Sequence, residues 1–333
     1  MAPSTPPTRR PTLADVARAS GVSVALASIV MRGTEGASEA SRTKVKAAAL
    51  ELGYRPDSRA RSLRSHHNRT VGVALLLGEP VHAELADALY AEAETRGYEI
   101  ILGAIGGNRD ERRVLNTLID AGAEAIIGIS PTLTAAQMAQ VASQVPMVSL
   151  LRGYRQLPSV LTDEAAGIDE LVAHLLHLGH RRLLHLDGGH AVAATQRRTA
   201  FERAVARAAG NVVGTVLGAG PDESTTFDVL DAYLRETAAE KRATAVLAFN
   251  DRAALGARRA IDLAGLQVPG QIALTGFDDS EFARLAHADL TSVRQDVAAL
   301  ASAAMAAATS PGAASSRHAP HLVVRGSSAT SKR

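Results

Sequence analysis

Three helix signals follow one another between residues 12 and 53, and they constrain the fold more than any other part of the chain. The first begins at Thr12, with Asp15 three residues on, so the pair predicts an N-cap and its capping-box partner. Gly21 then breaks the apolar pattern, because glycine offers the positive φ that a tight turn between helices needs. A short helix followed by such a turn is the first half of a helix-turn-helix.

The second and third helices carry their own start and stop signals. Ser23 caps the second, which covers residues 24–31 and ends at Gly33. Ser38 caps the third, Gly53 closes it, and its apolar stripe is Val45, Ala48, Ala49 and Leu52. Two short helices with a glycine-containing turn, and a third that buries their apolar faces, predict a helix-turn-helix DNA-binding domain.

Segments in this region and beyond it resemble the lactose-repressor (LacI/GalR) family of bacterial transcription regulators. Near the N-terminus they are T-L-A-D-V-A-R-A-S-G-V-S-V-A, S-x-x-S-R-x-K-V and E-L-G-Y-R-P. Further along, V-A-H-L-L-H-L-G-H-R-R, A-F-N-D-R-A-A-L-G-A, V-P-G-Q-I-A-L-T-G-F-D-D and L-T-S-V-R-Q are similar to landmarks of the family's effector-binding core. The resemblance implies a DNA-binding regulator with a two-lobed core like that of periplasmic sugar-binding proteins.

Charge is divided unevenly along the chain. Residues 1–69 hold 12 lysines and arginines against 5 aspartates and glutamates, a balance of +7, while the remainder holds 24 against 29, a balance of −5. A basic small domain joined to an acidic larger one suggests a polyanion partner for the first only. A solvated charged face is the other explanation of such a skew.

Several classes of protein and site are disfavoured. The chain has no cysteine, so a disulfide framework, a thiolate nucleophile and a thiolate metal site are excluded. Nothing resembles a signal peptide or a membrane span, so a cytoplasmic location without membrane contact is expected. His174, His177 and His180 stand three apart, but without acidic or cysteine neighbours a structural role is favoured over metal binding. No P-loop, dinucleotide motif or nucleophile elbow is present, so we expect no catalytic residue, no cofactor and no enzyme.

The resemblance implies that the second helix enters the major groove, with positions 24, 25 and 29 facing the bases. Val24, Ala25 and Ile29 occupy these positions, and all are apolar. Ile29 stands where the family commonly has an arginine that can bond guanine, while isoleucine can at most pack on a thymine methyl. The family's operator therefore cannot be assumed. The other predicted DNA contacts of this domain, with the basic side chains on phosphates, are Thr12, Ser23, Ser28, Arg32, Arg42, Lys44 and Arg55.

Residues 57–69 resemble the family's hinge, which folds into a short helix on operator DNA and inserts a leucine into the minor groove. Ala60 and Leu63 match that pattern, and Asp57 stands in place of the usual asparagine. A leucine wedge would bend the duplex while Arg59 and its neighbouring arginines neutralise phosphates. A plain basic linker is the alternative.

From residue 70 the pattern changes to alternating strands and helices. Apolar runs such as T-V-G-V-A-L-L-L predict strands buried on both faces, and the βαβα order predicts parallel sheets covered by helices. With the resemblance, the predicted fold is an all-α helix-turn-helix domain plus an α/β two-lobed effector domain like a type I periplasmic-binding protein. The predicted domains are a disordered tail at 1–11, a helix-turn-helix domain at 12–56, a hinge at 57–69 and an effector-binding and dimerisation core at 70–333, with an N-lobe at about 70–161 and 291–325 and a C-lobe at about 162–290.

Details of the chain path between the lobes are also expected from the pattern. Crossings should fall near 160–163, 290–293 and 320–324. The segment 301–319, rich in alanine and serine, should be a helix and then a loop.

Ligands of open α/β sheets bind beyond the carboxyl ends of the strands. By the resemblance, an effector cleft is formed there by Glu79, Val81 and His82 on the loop after the first strand, and by Arg152, Asp163, Arg197, Asn250, Asp278 and Gln295. Carboxylates, amides and arginine suit a polyhydroxylated, sugar-like ligand. Asp163 and Asp278 could instead serve only as helix caps or interlobe hinges.

The first loop departs from the family, because E-P-V-H stands where members often have N-P-F-F. Aromatic residues make up 3% of the chain and tryptophan is absent, so rings that could stack on a sugar are scarce. The ligand is then no typical hexose, or it binds without stacking, or the pocket is degenerate. The sequence predicts a homodimeric repressor of double-stranded operator DNA controlled by a small molecule, with a solute-binding protein as the alternative, and it does not decide between inducer and corepressor.

Overall fold

The computed structural model describes residues 11–54, 68–310 and 312–328, and the chain divides into two compact units after Asn68. The helices of the first unit are α1 (Leu13–Ser20), α2 (Val24–Arg32) and α3 (Glu39–Glu51). The chain turns by 105° between α1 and α2, an angle typical of a helix-turn-helix. The predicted class of this domain is confirmed.

The helix caps of the first unit follow from the sequence. The Thr12 hydroxyl accepts the Asp15 backbone N–H at 3.4 Å, and the Asp15 carboxylate accepts the Thr12 N–H at 2.9 Å, which completes the predicted capping box. Gly21 has φ 69° and ends α1. Ser23 and Ser38 each accept a backbone N–H from three residues on, at 3.2 and 3.3 Å. Local chemistry therefore sets where each helix begins.

A small apolar core holds the three helices together. Its buried members are Val16, Ala17, Ala27, Val30, Val45, Ala48 and Ala49. Leu52, which the stripe pattern places in this core, is instead 36% exposed. The reason is that α3 ends at Glu51, so Leu52 no longer continues the buried face of the helix.

The second unit is built from two sheets of six strands each. The strands in chain order are β1 (Thr70–Leu76), β2 (Glu99–Ile105), β3 (Ala125–Ile129), β4 (Met147–Leu150), β5 (Ser159–Thr162), β6 (Arg182–Asp187), β7 (Val213–Gly218), β8 (Ala245–Ala248), β9 (Ala273–Asp278), β10 (Thr291–Arg294), β11 (Ser316–His318) and β12 (His321–Val323). The helices are α4 (Pro80–Arg96), α5 (Glu111–Asp120), α6 (Ala135–Ala142), α7 (Glu164–His177), α8 (Ala194–Arg207), α9 (Glu223–Glu236), α10 (Asp251–Leu263), α11 (Glu281–Arg284) and α12 (Val297–Thr309), with a 3₁₀ turn at Ala239–Lys241.

The strand order in the first sheet is β11-β5-β4-β3-β1-β2, and in the second it is β12-β10-β9-β8-β6-β7. Neighbouring strands are parallel throughout, except for the antiparallel pair β10 and β12. Both sheets are covered by helices, as parallel sheets require. The predicted two-lobed α/β fold is therefore confirmed.

The chain crosses between the sheets after β5, after β10 and between β11 and β12. The first lobe was predicted to resume at residue 291, and this boundary is wrong. Strand β10 belongs to the second sheet, with Thr291 opposite Thr275 of β9. The predicted end of the first lobe at about residue 325 is also wrong, since β12 joins the second sheet, with Leu322 opposite Val293. Among the described residues, the first lobe thus holds 69–162, 296–310 and 312–318, and the second lobe holds 163–295 and 319–328.

Two smaller corrections concern loops. Residues 316–318, expected in a loop, form β11 beside β5. Helix α4 begins at Pro80, so Val81 and His82 lie in its first turn and not on a loop. Proline suits that first position because its φ is already helical and its missing N–H would have no partner there.

No single helix in the described ranges is long and apolar enough to cross a membrane, and α1 with α2 reaches that length and hydropathy only as a pair bent by 105°.

Candidate functional site

The second helix of the DNA-binding unit presents a largely apolar outer face. Val24 is 50% exposed, Ala25 is exposed, and Ser28 and Ile29 are half-buried. These four positions form two adjacent pairs, 24/25 and 28/29, that are four residues apart, and so lie on one face of α2. The opposite face, through Ala27 and Val30, belongs to the core. The predicted base-facing positions are therefore on the side of α2 that a partner can reach.

The polar DNA contacts predicted for this unit have structural roles as well. The hydroxyls of Thr12 and Ser23 serve as helix caps. Arg42 Nη2 donates to the carbonyl oxygen of Thr34 at 2.7 Å, which ties the loop after α2 to α3. Arg32 is the last residue of α2. Lys44 is exposed on α3. The predicted contacts Arg55, Arg59, Ala60 and Leu63 lie outside the described residues.

A cavity of about 200 Å³ lies between the two lobes of the second unit. Its walls are formed where strands of both sheets end, for example at Ser130 after β3, Leu151 after β4 and Asn250 after β8. This is where open α/β sheets bind their ligands. The predicted effector residues on its walls are Glu79, Val81, His82, Arg197, Asn250, Asp278 and Gln295.

Arg197 on α8 is the buried cation of this cavity. Its Nε donates to Glu164 Oε2 at 2.7 Å and its Nη1 to the carbonyl oxygen of Phe249 at 2.5 Å. Its Nη2 lies 3.5 Å from Asp278 Oδ1, and the rings of Phe249 and Phe277 lie 4.7 and 3.6 Å from the guanidinium carbon. Burial alone would lower the pKa of Arg197, but Glu164 and Asp278 raise it, so the guanidinium stays charged.

Asp278 ends β9 in an unusual backbone conformation, with φ 102°, which costs free energy in a non-glycine residue. Its Oδ1 accepts Gln295 Nε2–H at 2.7 Å. Gln295 Oε1 in turn accepts the Thr162 hydroxyl at 2.5 Å. Burial raises the pKa of Asp278 to about 6, although Arg197 lowers it. The strained strand end thus places a poorly solvated carboxyl group on the cavity wall.

The next residue, Asp279, faces the other way. It has φ 49° and its side chain is 0% exposed. Arg325 Nη1 lies 2.6 Å from its carboxylate, and Arg294 Nε donates to it at 2.6 Å. Two consecutive aspartates therefore have separate tasks, one on the cavity wall and one anchoring the strand end to β10 and the chain after β12.

His82 is held neutral on the first-lobe side of the cavity. Its Nδ1 accepts the Leu76 N–H at 3.2 Å, so the ring proton is on Nε2, which donates to Ser130 Oγ at 3.1 Å. Burial lowers the pKa of His82 to about 4. Nearby, Glu79 stands at the N-cap of α4 without a side-chain cap hydrogen bond. Burial raises the pKa of Glu79, while Arg252, 3.9 Å away, lowers it.

Two predicted effector residues do not line the cavity. Arg152 Nη1 donates to the carbonyl oxygen of Pro131 at 2.7 Å, and its guanidinium lies 5.2 Å from the centroid of the Tyr154 ring. Asp163 caps α7 by accepting the Ala166 N–H at 3.2 Å. Both side chains are used within the protein, and for Asp163 this is the helix-cap role that the sequence left open.

The cavity also contains residues that the sequence reading missed, among them Leu76, Ser130, Thr132, Glu164, His190 and Phe249. Two of them had an available signal, because Ser130 follows a buried strand and Phe249 precedes Asn250 at the end of another. Glu164 is next to the predicted Asp163, but only the fold shows that it is the one that reaches Arg197.

Two of the three spaced histidines have hydrogen-bond partners, and the third, His177, is exposed. His174 Nε2 lies 2.9 Å from Ser328 Oγ, and His180 Nδ1 lies 3.0 Å from Thr244 Oγ1. Among the residues that the structure describes, no group of three or more histidine, cysteine, aspartate or glutamate side chains could hold a metal ion.

Comparison with known proteins gives matches to both units. Residues 12–57 match the lacI family of bacterial regulatory proteins, and residues 172–328 match the periplasmic binding protein-like domain. The chain is 30% identical to the HTH-type transcriptional regulator GalR of Escherichia coli K12, over 88% of this chain and 87% of that protein. It is 31% identical to the HTH-type transcriptional repressor PurR of Vibrio campbellii, over 85% and 86%.

Solved structures give the same result. A LacI transcriptional regulator from a Rhodococcus species is 33% identical, with a TM-score of 0.74 over 78% of this chain and 98% of that chain. The Lac repressor dimer bound to operator and the anti-inducer ONPF is 26% identical, with a TM-score of 0.81 over 97% and 100%.

A helix-turn-helix unit joined to a two-lobed α/β core with a cavity between the lobes defines a class of DNA-binding transcriptional regulators. Within that class, the chain belongs to the lacI family of bacterial regulatory proteins.

Proposed function

We propose that the protein is a homodimeric repressor that binds a near-palindromic operator and whose DNA affinity is controlled by a small polyhydroxylated effector in the cavity between its lobes. The observation that carries the proposal is the cavity itself, which is lined by charged and amide side chains at the carboxyl ends of both sheets. The Lac repressor structures similar to this chain, bound to operator and ONPF or to ONPG, support it.

The proposed DNA contacts divide by task. Val24, Ala25 and Ile29 face the bases, and an apolar surface recognises thymine methyl groups rather than guanine. The side chains proposed to position the domain on the duplex are Thr12, Ser23, Ser28, Arg32, Arg42, Arg55 and Arg59. Ala60 and Leu63 are proposed, from the family resemblance alone, to form the minor-groove wedge.

The proposed effector contacts offer both donors and acceptors. Asn250 Oδ1 accepts the Ala253 N–H at 2.8 Å, which leaves its NH₂ group to donate to a ligand oxygen. Asp278 and Glu79 offer carboxylate oxygens that accept from ligand hydroxyls. Val81 and Phe249 supply apolar surface beside these groups. Paired donors and acceptors of this kind are suited to the hydroxyl groups of a polyol.

Control of DNA binding is proposed to act through the angle between the lobes. The Thr162–Gln295–Asp278 hydrogen bonds run from the chain crossings into the cavity. A ligand that contacts Asp278 therefore also affects the segments that join the lobes. An inducer would bind the DNA-incompetent arrangement more tightly, and a corepressor would bind the DNA-competent one.

Genome-wide footprinting of the bound operator, followed by mobility shifts on that operator, tests the proposal. Affinity must fall steeply with salt, because phosphate neutralisation releases counterions, and a flat salt response would contradict DNA binding. Leu63→Ala should weaken operator binding by about tenfold or more and binding to unrelated duplex much less. Leu50→Ala is the matched control, since Leu50 is 85% exposed on α3. Equal losses on both duplexes would count against the wedge.

The assembly is tested separately. Sedimentation equilibrium with and without operator should give a dimer, because two recognition helices on two half-sites require a two-fold assembly. A monomer bound to a full-length operator would refute the dimer.

A further inference from the structure

We propose that the cavity selects a polyhydroxylated ligand carrying a positively charged amino group, such as an amino sugar, and rejects ligands carrying phosphate or carboxylate. This ligand class rests on the proposed function, because it takes the cavity between the lobes to be the effector site. The balance of charged groups on the cavity wall carries the inference.

The positive charge of Arg197 is already neutralised by the protein. A guanidinium offers five N–H donors in one plane and two faces. Two nitrogens of Arg197 donate to Glu164 and to the Phe249 carbonyl, and the third lies near Asp278. Aromatic rings lie over the guanidinium, and its side chain is only 5% exposed. A phosphate or carboxylate of a ligand therefore cannot take the bidentate pairing that arginine usually provides.

Three carboxylates share the wall with that single guanidinium. Glu164, Asp278 and Glu79 are 9%, 12% and 23% exposed. Arg197 neutralises only one of these charges, and Arg252, 3.9 Å from Glu79, is 39% exposed and faces solvent. The wall is therefore negatively charged whether or not Arg252 is counted.

This negative charge is poorly compensated. Burial raises the pKa of Asp278 to about 6, and burial also raises the pKa of Glu79. Both shifts come from burial, so the charged carboxylates are short of water, and the arginines beside them offset this only in part. An ammonium group between Glu79 on the first lobe and Asp278 on the second would restore hydrogen bonds to both, and a neutral hydroxyl would do so less strongly.

The helix ends at the cavity do not reverse this preference. Asp163 and Asn250 cap α7 and α10 by accepting backbone N–H groups. At α4 the N-cap residue Glu79 makes no side-chain cap hydrogen bond, but its carboxylate places a negative charge beside that positive end. Only α8, among the helices described at the cavity, begins at a residue without a polar side chain, Ala193. One free helix end suits a hydroxyl or ring oxygen of the ligand, which is why the proposed ligand is a polyol as well as a cation.

Calorimetry on the full-length protein tests the ligand class. The probes are D-galactose, D-galactosamine and D-galactose 6-phosphate, and the corresponding glucose series. At least one amino sugar should bind about tenfold tighter than its neutral parent, and the phosphates should not bind. Glu79→Gln should remove most of that advantage, while Asp87→Asn, which removes an exposed carboxylate from the same helix, should leave it intact. Preference for a phosphate, or equal binding of amine and parent, would overturn the proposal.

A second experiment needs no ligand and decides the matter if none of the six sugars binds. Leu76 lines the cavity and is half-buried. Substituting Leu76 by lysine, glutamine or glutamate places a positive, neutral or negative group in the cavity. Because the wall is negatively charged, the lysine variant should have the highest melting temperature and the glutamate variant the lowest. The same three changes at Leu102, 44% exposed on β2, should show no such order. A glutamate variant that melts above the lysine variant would overturn the proposal.

These outcomes are separable from failure of the proposed function. Operator footprinting and the salt response report DNA binding whatever the ligand. A protein that binds its operator but prefers an anion contradicts the ligand class alone.

Discussion

On the proposed base-facing side of α2, Ile29 presents only hydrocarbon, whereas an arginine at that position would present five N–H donors. The two residues would therefore distinguish different bases. Val24 and Ala25 add no polar group beside Ile29. Hydrocarbon surface recognises the thymine methyl and is indifferent to the donor and acceptor pattern of guanine. The operator of this protein should therefore be rich in thymine at the contacted steps.

Deoxyuridine in place of one contacted thymine removes a single methyl and leaves the hydrogen bonds unchanged. Operator affinity should fall about fourfold, as expected for about 0.8 kcal/mol per buried methyl group. The Ile29→Ala variant should lose this sensitivity at the thymine that Ile29 contacts. Mobility shifts with each singly substituted operator measure the effect, and unchanged affinity at every step would rule out methyl recognition.

Buried histidines give the protein a second residue-level signature, in its pH dependence. Burial lowers the pKa of both His82 and His185 from 6.5 to about 4. Between those values these two histidines bind more protons in the unfolded chain than in the folded one, so their contribution to the free energy of unfolding falls as the pH falls from 6.5 to 4. Each full shift corresponds to about 3 kcal/mol. Asp278 and Asp251, whose pKa values burial raises to about 6 and about 8, contribute in the opposite direction.

Relative to the native protein, the variant His82→Gln should lose less stability, or gain more, as the pH falls from 7 to 4.5 in urea denaturation. His177→Gln removes an exposed histidine of α7 and should leave the slope unchanged. If His82→Gln follows the same slope as the native protein, His82 does not stay neutral in the folded state.

At the scale of single elements, the turn of the helix-turn-helix rests on one backbone conformation. Gly21 has φ 69°, and a Cβ added there would meet nothing within 4 Å. A substitution therefore costs only backbone strain. Gly21→Ala should destabilise the DNA-binding unit by about 1 kcal/mol, and Gly21→Asn by less, because asparagine tolerates the left-handed region better.

Amide hydrogen exchange of α1 to α3 measures both variants in the full-length protein. Equal protection in the alanine variant and the native protein would mean that the turn relaxes without cost. Loss of protection in the second unit as well would mean that the substitution acts through something other than the turn.

Elements with strong local signals could be predicted from the sequence, and those that depend on distant partners could not. The caps at Thr12 and Ser23 are local hydrogen bonds. The continuous apolar run of β1 predicts that this strand is buried on both faces. By contrast, β10 has only four residues and β12 only three. Such short sequences do not indicate which of two similar sheets the strand joins.

The same distinction applies to the cavity. Asn250 and Asp278 follow buried strands, so their position at the strand ends could be predicted. Arg152 was predicted to line the cavity, but its long side chain donates to the Pro131 carbonyl oxygen instead. The sequence does not indicate which of several acceptors a guanidinium will reach. Glu164 was missed because its pairing with Arg197 joins residues that only the fold brings together.

Across the whole second unit, two arginines of the second lobe donate hydrogen bonds to the first lobe. Arg284 Nη2 donates to Glu84 Oε1 at 2.6 Å, and Arg252 Nη1 donates to the Gly78 carbonyl oxygen at 3.2 Å. Both side chains are partly exposed, so each contact contributes about 1 kcal/mol or less. Such weak contacts are suited to holding two lobes together reversibly.

Arg284→Gln should speed amide hydrogen exchange at residues 76–84, because the two lobes separate more often. The charge-exchanged pair Glu84→Arg with Arg284→Glu should restore the native rate. Arg235→Gln is the matched control, since Arg235 pairs with Asp231 inside one helix. Identical exchange rates in all variants would show that the Arg284–Glu84 pair does not hold the two lobes together.

The return of the chain to the first lobe has a consequence for how the protein is made. Leu300, Ala301, Ala304 and Met305 of α12 complete the core under β1, β3 and β4, so this lobe cannot finish folding until residue 309 has been synthesised. The three described helices of the DNA-binding unit end by Glu51. At ordinary translation rates the two events are separated by on the order of tens of seconds. A nascent chain thus carries a complete helix-turn-helix before it has any cavity for an effector to enter.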